Sequence, residues 1–313
     1  MTPYVWRLCC LSLAVLFVVQ VAAGLALRMV APRLVQLAGC LDSSRAAHLM
    51  LALRWMPSFV GGFVAVCLCA PAYLQLEPTA SDSDEQIGRA CAWLAALAVL
   101  SYLLPAGQVL YVALRSELRL RALLLNAEER SGLYVIRETA PAMALAGLWQ
   151  ARVVVSREVV QLLPADQMDA ARRHEQAHRE SRDNWKRLVL EAAPVALCGD
   201  RLRMAWSRFA EWAADDRATA GDAASSVALA SALVSVARLG SACLPGASAL
   251  VSDGCDLRMR VERLLEPRVA RAFPGSMIGG TVLVLGVALI IVAQQPGCAE
   301  ILHGLLESLV DSH

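Results

Sequence analysis

The sequence predicts a mainly α, polytopic membrane protein with four transmembrane helices and one soluble-type domain that carries a small β-sheet. Three observations predict this. Hydrophobic residues make up 57% of the 313 positions and charged residues only 18%, with a mean hydropathy of +0.50. The apolar residues are gathered into four runs, each near the 20 or so residues that a membrane helix needs. A long, charged segment, 115–272, separates the third run from the fourth and is the only stretch large enough for a folded domain outside the bilayer.

The spans are expected at about 8–27, 55–76, 90–114 and 273–293, leaving a short tail at 294–313. The first holds one polar residue of note, Gln20; the third contains Pro105. The first run exceeds the usual apolar core of a cleaved signal and is followed by arginines, so it reads as a retained span. Trp6, Trp55, Tyr73, Trp93 and Tyr111 sit near span ends, as interfacial aromatics do.

Loop charge sets the orientation. Residues 28–54 carry Arg28, Arg33, Arg45 and Arg54 against Asp42. Residues 77–89 carry Glu77, Asp82, Asp84 and Glu85 against Arg89, and Arg115, Arg119 and Arg121 follow the third span. Lys and Arg mark the inner side. The N-terminus is therefore expected outside, the first loop inside, the second outside, 115–272 in the cytoplasm and 294–313 outside. Gly61-Gly62 and Gly275-x-x-x-Gly279 are small-residue patterns of the kind that lets helices approach closely, and such patterns are common in any membrane helix.

A net charge of +1 gives no basic surplus for nucleic acid, whose readers neutralise phosphates. Ten cysteines are present; Cys9, Cys10, Cys67 and Cys69 lie inside apolar runs, and no pair has zinc-ribbon spacing or the look of a disulfide framework.

Within 115–272, a charged helical run is expected over 115–130 and strands over 133–136 and 152–155, the latter ended by Ser156. A loop-like stretch, 140–147, lies between the strands. A helix starts near Pro164 with Asp166 and Asp169 in its first turns and runs to about 181. An apolar segment at 188–198, interrupted by Pro194, reads as a buried or interfacial helix. Helices are also expected over 204–220 and 223–239.

His174-Glu175-Gln176-Ala177-His178 is an H-E-x-x-H sequence on the expected 164–181 helix. Residues four apart share a helix face, so two imidazoles can converge on one ion while Glu175 reaches the water bound to it. An amphipathic helix with incidental histidines is the plainer explanation of the motif alone. A catalytic zinc usually has three protein ligands and a water. Glu211-Trp212-Ala213-Ala214-Asp215, on a separate helix, offers Glu211 as the third ligand. Asp215, one turn on, would orient a ligand histidine, and Asp216 competes for that role. Asp183 would fix a histidine or the helix end, or form a surface ion pair. His48, His303 and His313 are separated from the site by the expected topology.

These residues resemble a family, the membrane zinc metallopeptidases typified by the beta-lactam sensor-transducers BlaR and MecR, with a gluzincin-type domain. The resemblance lies in three spans, domain, fourth span; in His174 to Asn184; in Glu211 to Asp215; and in Asp256-Leu257-Arg258-Met259-Arg260-Val261-Glu262-Arg263-Leu264-Leu265. Residues Val153, Val154, Val155 and Ser156 look like the family's edge strand. The resemblance implies an endopeptidase with one Zn2+ per chain in a bacterial inner membrane. It would cleave a cytosolic repressor or other regulatory protein in signal-dependent proteolysis. His174, His178 and Glu211 would hold zinc, Glu175 would act as general base, and the peptide would add to the strand at Val153, Val154 and Val155. The family's penicillin-binding sensor has no counterpart in 294–313, so direct beta-lactam sensing is not expected. Two alternatives remain: a CAAX-protease or HtpX-like processing or quality-control peptidase, and a non-proteolytic membrane signalling or scaffold protein with an idle zinc site.

Overall fold

The computed structural model describes residues 2–76, 88–130, 132–136, 143–194, 199–239, 248–249 and 254–266. The fourth span expected at 273–293, the tail 294–313, Gly275 and Gly279, and the acidic loop but for its last two residues lie outside the described residues. The chain is mostly helical, with a small mixed sheet and, among the described residues, three helical stretches long and apolar enough to cross a membrane.

The first of these is α1 (Thr2–Ala38). The second is α2 (Ser43–Val64), which continues through a π turn at Ala65–Cys69 into α3 (Ala70–Leu76). The third is α4 (Arg89–Leu125). The π turn ends two residues before Pro71, which has no N–H to offer the carbonyl four residues back, that of Cys67 within the turn, and crowds it. At 1.5 Å per residue, the 37 residues of α1 extend about 55 Å, well beyond the roughly 30 Å of a bilayer core. The expected loop 28–54 is therefore corrected: only 39–42 leave the helices, and Asp42 caps α2 by accepting from the Ser44 and Arg45 amides.

The overhanging ends of α1 and α2 are apolar on one face for a reason. Leu27, Ala31, Ala38, Ala46, Ala47 and Met50 form one core with Leu202, Ala205, Trp206 and Phe209 of α8 (Gly199–Thr219). Arg54, counted above as loop charge, is buried within α2 and donates to the Ala193 and Pro194 carbonyls at 2.8 and 3.3 Å. There it satisfies carbonyls that the end of α7 (Asp183–Ala192) leaves free. That helix begins before the expected 188 and stops short of Pro194. Deeper in the bundle, Gln20 is buried and accepts from the Tyr102 hydroxyl at 2.8 Å, tying α1 to α4.

The sheet comprises β1 (Glu128–Arg130), β2 (Leu133–Ile136), β3 (Met143–Ala146), β4 (Arg152–Ser156) and β5 (Ser248–Ala249), in the order β1-β2-β4-β3-β5. Only β2 and β4 run parallel. Side chains alternate across it. Leu133, Val135, Met143, Leu145, Val153 and Val155 pack on Ala170 and Ala171 of α6 (Ala165–Ser181) and on Leu229 and Leu233 of α9 (Ala223–Arg238). On the opposite face, Ile136, Ala146 and Val154 meet Leu120 of α4. A short helix, α5 (Arg157–Leu162), leads from β4 towards α6, and α10 (Gly254–Leu265) packs on α9.

Strands β2 and β4 and helices α6, α8 and α9 fall within a few residues of expectation. Three expectations change. The charged helix ends at Leu125 rather than 130, and 128–130 form β1. The stretch 140–147, expected as a loop, contains β3; Met-Ala-Leu-Ala has no β-branched residue, and burial between two strands decides its state. Strand β4 is not an edge. Val153 and Val154 pair with β3, Val154 also with β2, and Val155 with both. Val153, Val154 and Val155 therefore have no free edge for a peptide, and both β3 and β4 pack on α6.

Candidate metal centre

Helix α6 is polar over most of its surface and buries one face, formed by Ala170, Ala171, His174, Glu175, Ala177 and His178. Arg182 ends it in the left-handed conformation, φ 54°. For a residue with a Cβ this costs about 1–2 kcal/mol. The reversal starts α7 at once and brings Asp183 back under α6. Helix α8 crosses the same face and supplies Glu211 and Asp215, one turn apart.

His174, His178 and Glu211 are buried, and one ligand atom from each converges in a group that could hold a metal ion. The His174 and His178 Nε2 atoms are 3.1 Å apart. Glu211 Oε2 lies 3.5 Å from the first and 3.6 Å from the second. Tetrahedral bonds of about 2.0–2.1 Å would place ligand atoms roughly 3.3–3.4 Å apart, so the three edges fit a small divalent cation. The other nitrogens are held from behind. Asp215 Oδ1 lies 3.0 Å from His174 Nδ1, and Asp183 Oδ2 lies 2.7 Å from His178 Nδ1. Asp183 hydrogen-bonds the His178 ring with Nε2 facing the centre, whereas Asp215 meets His174 Nδ1 as a close ion-pair contact without hydrogen-bond alignment. Asp216, the competing candidate, instead accepts from Ser43 and Arg263 at 2.9 and 2.6 Å.

Glu175 is wholly buried, and neither carboxylate oxygen has a partner in hydrogen-bonding geometry. Burial raises its pKa to about 7, against the lowering influence of both histidines and the Leu145 amide; the Glu211 charge adds to the rise. A buried acid left without a partner, beside three converging ligand atoms, is suited to receive a proton from a bound water.

The histidines respond to the carboxylates around them. Burial opposes the imidazolium, yet the Glu211 charge and the Asp183 contact raise His178 to about 10. Burial also opposes a charged His174, and the Asp215 and Glu211 contacts outweigh it. Glu211, despite desolvation, is held well below the usual carboxylate range by His178 and Arg260.

Arg260 of α10 is the residue that sequence reasoning missed as a site member. It is 3% exposed and lies 3.0 Å from Glu211 Oε2, and it also bonds Asp215. Its Nη2 is 3.4 Å from His174 Nε2. Against the desolvation of its own charge, the Asp215 and Glu211 carboxylates raise its pKa further. The signal was its place in the 256–265 stretch, but no spacing rule connects an arginine on a third helix to H-E-x-x-H. His48 is outside the site, with Nδ1 2.8 Å from the Ser44 carbonyl; His303 and His313 lie outside the described residues.

No family model matches the chain, and no curated protein and no solved structure matches it.

Proposed function

We propose that the chain is an integral-membrane zinc metalloendopeptidase whose domain 115–272 faces the cytoplasm. The observation that carries this reading is the pairing of a His174, His178, Glu211 group with Glu175, a wholly buried carboxylate that has no side-chain hydrogen-bond partner and stands next to His174 on the same helix. A structural zinc site is usually closed and rich in cysteine; the described cysteines nearest in sequence play no part here. Two histidines and a glutamate leave a fourth position open for water.

When bound, zinc would supply a Lewis acid that lowers the pKa of water and polarises a carbonyl. The chain's own residues would do the rest. Glu175 would accept the proton of the attacking water and deliver it to the leaving amine. Asp215 and Asp183 would hold the two imidazoles in register, and Arg260 would keep Glu211 and Asp215 ionised. The three long apolar helices, the resemblance of the motifs to the BlaR and MecR family, and the arginines next to the spans support a multi-pass protein of a bacterial inner membrane. A fourth span at 273–293 and an external C-terminus complete that topology. The substrate would be a cytosolic repressor or another regulatory protein.

One observation favours a second reading, a signalling or scaffold protein with an idle site. Arg260 places a built-in cation 3.0 Å from the ligand oxygen of Glu211. The two readings separate on the full chain purified in detergent, by zinc content and by cleavage of an unfolded protein such as casein. About one zinc per chain and cleavage that Glu175→Gln abolishes without loss of zinc would support the peptidase. No zinc in the wild type, or zinc without cleavage, would support the scaffold.

A further inference from the structure

A groove of about 770 Å³ opens beside the metal centre, and among the described residues no acidic side chain lines it. Its floor includes Leu145, whose backbone amide also acts on Glu175. Its wall includes Asn184, next in the chain to the Asp183 that holds His178. Leu145 and Asn184 thus link the groove's lining to the buried centre on α6 and α7.

Hydrogen bonds and ring contacts hold the lining in place. Asn184 Nδ2 donates to the Leu145 and Gly147 carbonyls at 3.1 and 2.9 Å, fixing the end of β3. Glu117 of α4 accepts from the Leu148 and Trp149 amides, and Trp185 Nε1 donates to the Leu148 carbonyl at 3.0 Å. Trp149 and Trp185 meet edge to face with centroids 4.9 Å apart, yet Trp149 remains 79% exposed. Such a large aromatic held in place but open to solvent is an unfilled contact surface. Around it stand Arg152, Arg179 and Arg182. Arg152 stacks on Tyr134. Arg179 and Arg182 are exposed, and neither has an acidic partner among the described residues.

We propose that this groove binds one flank of the substrate, as an extended peptide segment bearing acidic side chains and a large apolar or aromatic side chain. The inference deepens the peptidase reading and rests on it. Carboxylates match the guanidinium fork, and the paired indoles offer an apolar shelf. An alternating acidic and aromatic segment fits this lining, whereas a basic one is repelled.

The test uses the full-length Glu175→Gln chain, zinc-loaded in a neutral detergent, so that binding is read without cleavage. Two short fluorescein-labelled peptides of alternating Glu and Phe, or Lys and Phe, are compared by anisotropy. The Glu peptide should bind roughly tenfold tighter or more, because several exposed guanidinium contacts of one sign add up along the peptide and oppose the Lys peptide. An Arg179→Glu, Arg182→Glu double variant should reverse that order, and Trp149→Ala should weaken both peptides. Equal binding of the two peptides, a preference that survives charge reversal, or no binding of either overturns the inference. So does a result in which phosphatidylglycerol vesicles, and not peptides, bind in a manner that depends on these arginines. Failure of the peptidase reading looks different: the preference would hold, while the zinc-loaded wild type leaves the Glu peptide uncut.

Discussion

Arg260 grips Asp215 with two bonds, Nη2 at 2.7 Å from Oδ1 and Nε at 2.9 Å from Oδ2, in a place that is closed to water. The pair joins α10 to α8 directly behind the ligands, and the same guanidinium reaches Glu211. Removing one partner of a buried ion pair leaves the other charged and unsolvated. Arg260→Ala should therefore destabilise the metal-free protein by about 3–5 kcal/mol, read as a lower unfolding midpoint in detergent. Arg260→Lys should recover only part of this, because an ammonium cannot form the two-bond fork. An Arg260→Ala protein as stable as the wild type would show that the pair does not form.

Metal uptake should release protons. The carboxylates raise His178 from 6.5 to about 10, so in the metal-free protein its imidazolium persists through neutral pH. The stability gained from this pairing is complete below 6.5 and is lost as pH rises towards 10. A metal binds only the neutral ring, so metal affinity must climb across that same window, up to tenfold per pH unit for each proton displaced. Calorimetry in buffers of different ionisation enthalpy measures the proton count. An affinity flat between pH 6.5 and 9 would contradict this account.

The His174, His178, Glu211 group was legible because a helix imposes its period on sequence. His174 and His178 are four apart, as are Glu211 and Asp215, and each pair needs only one helix to bring it together. Strands β2 and β4 were legible from their β-branched and aromatic residues. Strand β3 was not, since Met143 to Ala146 has helix-forming side chains and becomes a strand only through its neighbours. The edge position assigned to β4 failed for the same reason: strand order is a property of pairing, which local sequence does not encode. Helices α1 and α2 outran their apolar runs because their polar-flanked ends bury Ala38, Ala46 and Met50 against α8, a contact between segments far apart in the chain. Arg260 joins the site through the same kind of long-range packing.

The two aspartates behind the histidines should matter to metal binding in a way that Asp216 does not. Asp183 lies 2.7 Å from His178 and Asp215 lies 3.0 Å from His174. Loss of such a supporting carboxylate typically costs about 10–100-fold in metal affinity. Asp183→Ala should show that loss in chelator competition. Asp216 accepts from Ser43 and Arg263 instead, so Asp216→Ala should leave the affinity within about twofold of wild type while loosening the contact between α2 and α8. Equal losses in the two variants would mean that Asp183 acts only through general stability.

The neighbouring glycines of α2 should behave oppositely, although their sequence environment is the same. A Cβ on Gly61 would stand 2.8 Å from the Leu16 carbonyl oxygen and 3.3 Å from Gln20 Cβ, both on α1. A Cβ on Gly62 would meet nothing within 4 Å. The obstacle at Gly61 is backbone and cannot rotate away, so Gly61→Ala must push α1 and α2 apart or bend one of them. Overpacking of this kind costs about 1–3 kcal/mol. The displacement would also reach Gln20, which accepts from Tyr102 of α4, so one methyl group would strain two helix contacts. Gly62→Ala brings no clash and removes a flexible residue from a helix, which favours the helical state by up to about 1 kcal/mol. Thermal unfolding of the two variants in detergent should thus move in opposite directions from wild type. Identical behaviour would mean that α1 and α2 do not approach at Gly61, and the hairpin that carries the apolar contacts to α8 would have to be drawn differently.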